Sequence, residues 1–488
     1  MRADWTIVSI TLYSFLFLIP IVMLFVVPHN RRPTSAIAWL LLIALLPLIG
    51  LPIFLLFGNT KLSRQRRAQQ RLMDELVGAR VREDQQNPDL APFVCPPIPS
   101  SYEPFARLNA ALGGLPVFAG NQVELLSDYL HTLQRLVRDI DQARRYVHVE
   151  YFALSRDAET EPVFAALERA VQRHVKVRVL MDHYGSLVYP NFQAMRKRLA
   201  AAGIEHRVML PIDFFDRDFS RIDLRNHRKF VVIDGALGYT GSLNMIRRDY
   251  FRRDDLYYDE LVARVTGPVA RQLEAVFVTD WGAEAGVFPT LDEFRDLTLE
   301  WQRSGDVLAQ VLPSGPGHDD DNNLKLFVSL VHAARRKLVL VTPYFVPDES
   351  LMLALTTAAQ RGVDVTLVNS EAADQFLAHH AQQSYYEELL RAGVKIYLYR
   401  RPALLHAKSI SMDDDIAVIG SSNLDLRSFW LDLEVTLVCP DQRVVADLRQ
   451  IEANYLQRSK RVDLQEWLKR PWMTKLFHNF ARLTSALQ

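Results

Sequence analysis

Hydrophobic and polar positions divide the chain into three kinds of segment. From Trp5 to Val27 and again from Ala36 to Phe57 the residues are apolar and uncharged. Each run is about 22 residues, close to 30 Å as helix, and predicts a membrane-spanning helix. A second run of equal length with no Ala-x-Ala site between the two argues against a cleaved signal peptide. Pro47 and Pro52 can kink the second span or make it re-entrant. The stretch to about Leu90, RQRRAQQRLMDELVGARVRED, is charged and helix-prone, fit to link the anchor to the body while lying near anionic headgroups. Beyond it, short apolar or alternating runs alternate with amphipathic segments, the pattern of strands and helices. At the end, Met473, Leu476, Phe477, Phe480 and Leu483 recur at helical spacing with Lys475 and Arg482 elsewhere on the wheel. They suit either core packing or a membrane surface.

The strand and helix pattern occurs twice. ARRYVHVEYF from Ala143 matches ARRKLVLVTPYF from Ala334, and LERAVQRHVKVRVLMD matches LTTAAQRGVDVTLVNS. AAGIEHRVML likewise matches RAGVKIYLYR, so the chain is an internal duplication of about 180 residues. Each repeat reads strand, helix, strand, helix, strand, then a strand pair that carries His-x-Lys-x-x-x-x-Asp. The pattern is His227, Lys229 and Asp234 in the first repeat and His406, Lys408 and Asp413 in the second. A Gly-Ser-x-Asn tail follows each, with Ser242 and Asn244 after the first and Ser421 and Asn423 after the second. On a strand, residues two apart share a face, which explains the single residue between histidine and lysine. Two such repeats most simply pack sheet to sheet, bringing both motifs to one cleft.

Paired imidazoles and ammoniums suit phosphodiester chemistry. A side-chain nucleophile divides the displacement into two easier steps through a covalent intermediate. One neutral histidine attacks while its protonated partner donates to the leaving alkoxide, and that partner then serves as base for the incoming alcohol. Lys229, Lys408, Asn244 and Asn423 supply charge and donors for the phosphate oxygens, with Ser242 and Ser421 as further candidates. The nucleophile needs an acceptor on its other ring nitrogen. Glu260 and Glu434 are the candidates, Glu260 less securely because Asp259 is adjacent and the run from Asn244 is longer than in the second repeat. Asp234 and Asp413 complete the motifs, with pinning the turn after each strand as their expected part. No metal or other cofactor is expected, since two lysines neutralise the phosphate.

These residues resemble the phospholipase D superfamily and, within it, the bacterial cardiolipin synthases with an N-terminal membrane anchor. The resemblance rests on both motifs, TPYFVP at Thr342–Pro347, SGPG at Ser314–Gly317, SSNLDLRSFWLDLEV and WLKRP at Trp467–Pro471. It implies an α/β fold: two phospholipase D-like α/β repeats packed as a pseudo-twofold pair with one shared active site, plus an N-terminal two-helix transmembrane anchor. It also implies a phosphatidyltransferase that joins two phosphatidylglycerols into cardiolipin with loss of glycerol, through a phosphohistidine. His227 is implied as nucleophile and His406 as general acid then base; the repeat symmetry alone does not choose.

The expected domains are a transmembrane hairpin over 1–58, a basic helical linker over 59–117, repeats over 118–310 and 311–458, and an amphipathic tail over 459–488. Basic residues after the second span place both ends of the hairpin and the catalytic region on the cytoplasmic side of a bacterial inner membrane. Zero net charge argues against a broad nucleic-acid surface, and the membrane anchor points to a phospholipid and the bilayer as partners, with phosphatidylglycerol the substrate that the resemblance implies. Cys95 and Cys439 fit no metal spacing. His379 and His380 read as ordinary polar residues that could still reach the cleft. The insertion PIDFFDRDFSRIDLR, with Phe214, Phe215 and Phe219, is a candidate lipid-facing lid. Competing readings are a phospholipase D or a transferase with another donor or acceptor, a membrane-anchored nuclease, and a non-catalytic lipid-binding scaffold.

Overall fold

The computed structural model describes residues 16–29, 31–212, 221–286, 303–318 and 321–483. The chain forms two compact units, Met1–Lys61 and Leu62–Gln488.

In the first unit residues 16–26 are helical, while residues 5–15 of the first expected span lie outside the described residues. The second expected span is corrected. It forms two helices, Pro33–Leu45 and Pro47–Phe57, of 13 and 11 residues. Between them Leu46 takes φ −136° and ψ 67°, because the ring of a following proline disfavours the helical region for the residue before it. The chain reverses there, so Trp39 and Phe54 meet edge to face at 5.4 Å. Gly50 permits the approach, since a Cβ at that position would lie 2.8 Å from the Leu42 carbonyl oxygen. At a rise of 1.5 Å per residue the helices are about 20 and 16 Å long, short of a bilayer core. Among the described residues no helix is long and apolar enough to cross a membrane.

The second unit is organised by the duplication. Its main sheet has sixteen strands among the described residues. At its centre Phe118–Leu126 pairs antiparallel with Val307–Ser314. Outward from the first of these run Val262–Thr266, Leu237–Gly241, Lys229–Ile233, Tyr146–Tyr151, Lys176–Asp182 and Glu205–Met209. Outward from the second run Asp432–Cys439, Ile416–Gly420, Ser409–Met412, Lys337–Val341, Asp364–Ser370 and Lys395–Tyr399, strand for strand the same order. The repeats are therefore joined edge to edge as well as across a common core. That core contains Phe230, Leu273 and Phe277 of the first repeat with Val339, Val435 and Leu448 of the second. Lys229–Ile233 is buried along its whole length, as expected of a strand with packing on both faces.

The outer face of each half is covered by that repeat's own helices. Tyr129–Asp141, Glu161–Gln172 and Phe192–Ala201 supply Leu133, Leu136, Phe164, Leu167 and Met195 to one outer core. The helices Asn322–Ala333, Glu349–Gln360 and Phe376–Ala392 do the same for the second repeat. The charged segment predicted as a linker is a helix, Arg64–Gln86, capped by Ser63. It rests on the buried helix Ala270–Ala285, where Arg66 Nη2 donates to Glu284 Oε2 at 3.0 Å.

Each motif strand ends in a turn held by the motif aspartate. Asp234 and Asp413 adopt left-handed backbone with φ 54° and 50°. The Asp234 carboxylate accepts from the amides of Arg144, Arg145 and Tyr146 at 2.8 to 2.9 Å. Asp413 does the same for Arg335, Arg336 and Lys337 at 2.7 to 3.1 Å. Alanine at position 234 would lose three charge-assisted bonds and leave a side chain poorly suited to positive φ. We expect Asp234→Ala to cost about 2–4 kcal/mol, seen as a lower Tm in thermal unfolding, with Asp234→Asn intermediate.

Candidate active site

The two motifs meet in one pocket lined by His227 and His406, with Asn244 and Asn423 beside them. What brings them together is an exchange between the repeats. Arg225–Asn226, just before the first motif, pairs in parallel with Asp432–Leu433 of the second repeat. Ala403–Leu405, before the second motif, pairs in parallel with Tyr257–Asp259 of the first. The His227 amide consequently donates to the Leu433 carbonyl at 2.9 Å, and the His406 amide to that of Asp259 at 2.8 Å.

Both imidazoles are thereby carried to an acid of the opposite repeat. His227 Nδ1 lies 2.8 Å from Glu434 Oε1, and His406 Nδ1 lies 2.9 Å from both oxygens of Glu260. An Nδ1–H donated to carboxylate leaves Nε2 with its lone pair toward the pocket. Asp259 turns the other way, accepting from Tyr399 Oη at 2.6 Å. The repeat-to-repeat crossing has no signature in the chain, because spacing after an asparagine says nothing about which sheet the acid will face.

The lysines are buried beside the histidines, Lys229 Nζ donating to the His227 carbonyl at 2.6 Å and Lys408 Nζ to the His406 carbonyl at 2.7 Å. Ser242 and Ser421, expected as phosphate ligands, are fully buried with their hydroxyls bonded inside the protein. Ser421 Oγ donates to Glu434, and the Leu261 amide donates to Ser242 Oγ at 2.8 Å. They hold the acids and the adjoining turn. Asn244 Nδ2 donates to Tyr250 Oη at 2.9 Å, whereas Asn423 Oδ1 is buried without a hydrogen-bond partner. His379 and His380 do not line the pocket; His380 packs on Phe376 and Phe477 at 4.5 and 4.9 Å. Phe214, Phe215 and Phe219 of the candidate lid lie outside the described residues.

Burial and the lysine charges shape the protonation of the site. His227 is held well below the usual imidazole range, by burial first and then by Lys229 and Lys408. His406 is also lowered by burial, but Glu260 opposes the shift. Burial pushes Lys229 down to about 7 and Lys408 to about 8. Glu434 is raised to about 7 by burial, while His406 and Lys408 outweigh burial at Glu260 and lower it. Burial also raises Asp425 to about 6 and Asp432 to about 8, and a phosphodiester anion bound beside the lysines would favour their charged forms.

Several lining residues were not singled out in the sequence. Tyr250 and Tyr258 set their ring edges on His406 at 6.2 and 5.6 Å. They come from the longer run between Asn244 and Glu260, which was the available signal. Asp425, Arg427 and Asp432, in the segment after the second motif, also line the pocket, together with Phe152. His227, Asp432 and Glu434 place one metal-ligating atom each within 4.8 Å of one another. Glu434 is taken up by His227, Ser421 and Ser428, while Asp432 gives one oxygen to Arg427 and keeps Oδ1 buried without a hydrogen-bond partner among the described residues.

The family model described as "Cardiolipin synthase, PLD-like domain" matches residues 136–281 and 327–455, which are the two repeats just described. The chain belongs to this family. A second model, "Phospholipase_D-nuclease N-terminal", matches residues 14–59. Cardiolipin synthase A of Proteus mirabilis is 33% identical, with all of both chains covered. Cardiolipin synthase A of Yersinia pestis is 34% identical over 99% of this chain and 100% of the relative. Family membership therefore extends over the N-terminal unit as well as the repeats. Among solved structures, phosphatidylserine synthase of Haemophilus influenzae covers 80% of this chain and 99% of its own length, with a TM-score of 0.60 and 17% identity. At that identity the likeness speaks for the fold.

Proposed function

We propose that this chain is a cardiolipin synthase that transfers a phosphatidyl group from one phosphatidylglycerol to another. The observation that carries the reading is the pair of histidines in one pocket, each backed by the carboxylate of the opposite repeat. His227 Nε2 attacks phosphorus, a P–N bond forms, and the P–O bond to glycerol breaks as His406 gives its proton to the leaving oxygen. His406 then takes the proton of the acceptor hydroxyl, whose oxygen displaces His227 and yields cardiolipin. Lys229, Lys408 and Asn423 face the phosphate oxygens.

The protonation pattern supports this direction. His227 is the imidazole kept most firmly neutral, as a nucleophile must be, and His406 is the one beside an acid whose pKa is lowered. His227 is also more tightly braced. Arg228 Nε donates to the Glu434 carbonyl at 3.1 Å and its Nη1 to Asp280, where the second motif has only Ala407. Purified enzyme in phosphatidylglycerol vesicles should release glycerol and form cardiolipin. Phosphatidic acid as the dominant product would replace this reading with a phospholipase D.

The reading places the enzyme on a bilayer, with the N-terminal unit as inner-membrane anchor and the body at the cytoplasmic face. In the body, the helix Trp472–Leu483 leaves Trp472, Phe480 and Leu483 exposed by 70%, 62% and 80%. Phe477 touches the exposed Phe376 at 5.9 Å, and Gln375 and Ala378 on either side line the catalytic pocket. An apolar face continuous with the pocket mouth suits the headgroup and acyl boundary of a bilayer, delivering lipid without leaving the membrane. Each such side chain contributes about 1.5–3 kcal/mol when buried. The double variant Leu476→Asp/Phe480→Asp should therefore lower the ratio of turnover on vesicles to turnover on soluble bis(p-nitrophenyl) phosphate by at least about tenfold.

A further inference from the structure

The pocket is unequal at its two ends. Near His227 stand Phe152, with ring centroids 5.1 Å apart, and Asp432, to which Arg427 Nε donates at 3.1 Å. Beside His406 stands a wall of tyrosines around one carboxylate, Asp374. Tyr344 Oη lies 2.7 Å from both Asp374 oxygens, and Tyr258 Oη donates to Oδ2 at 3.0 Å. Tyr250 packs against Tyr258 with ring centroids 4.0 Å apart and donates its own hydroxyl to Glu260 at 3.0 Å. Strands of both repeats hold the wall in place, since Tyr258 lies in the short strand Tyr257–Asp259 and Asp374 follows Asp364–Ser370.

We propose that Asp374, with Tyr258 and Tyr344, forms a subsite for the hydroxyl groups of an uncharged polyol headgroup brought to His406. This rests on the transferase reading above and adds what selects the alcohol. The hydroxyl protons of Tyr250, Tyr258 and Tyr344 are spent on carboxylates, so these three present lone pairs to a ligand. A group that binds them must bring hydrogen-bond donors, as a diol or triol does. A headgroup that leads with an anion is repelled by Asp374. The phosphate of an acceptor lipid therefore stays outside while its terminal hydroxyl advances to His406. A carboxylate among aromatic rings also attracts cations. Here Lys229 and Lys408 lie buried beside the same histidines, and Asp374 faces Lys408, so a second cation is disfavoured.

The test is a competition between alcohols for the phosphatidyl intermediate. Full-length enzyme in phosphatidylglycerol vesicles is given equal concentrations of isotopically labelled glycerol, ethanol and ethanolamine, and the three phosphatidyl products are measured, label in phosphatidylglycerol distinguishing new product from the donor lipid. Turnover of bis(p-nitrophenyl) phosphate on each preparation gauges the two-histidine chemistry independently of headgroup. In the parent, glycerol should be preferred over ethanol, and Asp374→Asn should reduce that preference about tenfold or more. Tyr344→Phe, which removes one phenol oxygen while retaining the ring, should shift it the same way by less. A glycerol preference unchanged within about twofold in both variants would overturn the subsite. A selective fall in the ethanolamine product would overturn it in favour of a cation site. Loss of all turnover in both would assign the wall to folding instead. A parent enzyme that turns over the soluble diester but transfers to no alcohol would defeat the transferase reading itself.

Discussion

Alanine at either His227 or His406 is expected to lower phosphatidyl transfer by about 10⁴-fold or more, because the two imidazoles act as one unit in both steps. The variants should nevertheless fail differently. With a p-nitrophenyl diester the leaving group needs no proton, so an enzyme lacking only the general acid can still form the covalent intermediate. His406→Ala should then show a burst of p-nitrophenolate near one equivalent, and mass spectrometry of the quenched enzyme should place phosphorus on the peptide containing His227. His227→Ala should show neither burst nor adduct. The expectation follows from local electrostatics, since His227 is kept neutral by burial, Lys229 and Lys408 while Glu260 partly restores basicity to His406. A burst in His227→Ala with phosphorus on His406 would exchange the two roles.

How much of this was legible in the chain depends on the range of the interaction. The His-x-Lys pairs could be read because strand periodicity is local, and Lys229–Ile233 and Ser409–Met412 are the strands that follow them. Repetition then supplied the long-range information that a single motif lacks. It paired the halves of the sheet strand for strand. The joining of those halves through Phe118–Leu126 and Val307–Ser314 was not legible, because edge pairing depends on which strands remain unpaired after each half folds. The placement of Ser242 and Ser421 was hidden for a related reason. Their spacing from the histidines is shared with the asparagines, but the strand turns their hydroxyls to the buried acids. The reversal at Leu46 was visible only as two prolines, and hydropathy alone read through it. Asp374 has no motif at all, its place in the site being set by Tyr258 of the other repeat.

Exchange of the acids between repeats leads to the second large effect. Glutamine at position 434 or 260 keeps the volume but removes the charge that fixes the Nδ1–H tautomer, a change that costs up to about 10⁴-fold in other histidine–carboxylate pairs. We expect a loss of roughly 10²–10⁴-fold for each. With the p-nitrophenyl diester, Glu434→Gln should slow the burst itself, because its acid orients the nucleophile across the repeat boundary. Glu260→Gln should preserve the burst and slow the steady state, because its acid serves His406. Were each glutamate paired with the histidine of its own repeat, these two results would be reversed. Combined with His227→Ala, Glu434→Gln should add little further loss, since the carboxylate has no nucleophile left to orient, whereas Glu434→Gln combined with Glu260→Gln should compound. The exchange also explains why neither repeat can carry the reaction alone: each supplies the histidine of one half-site and the acid of the other, so the chemistry exists only where the two are folded together.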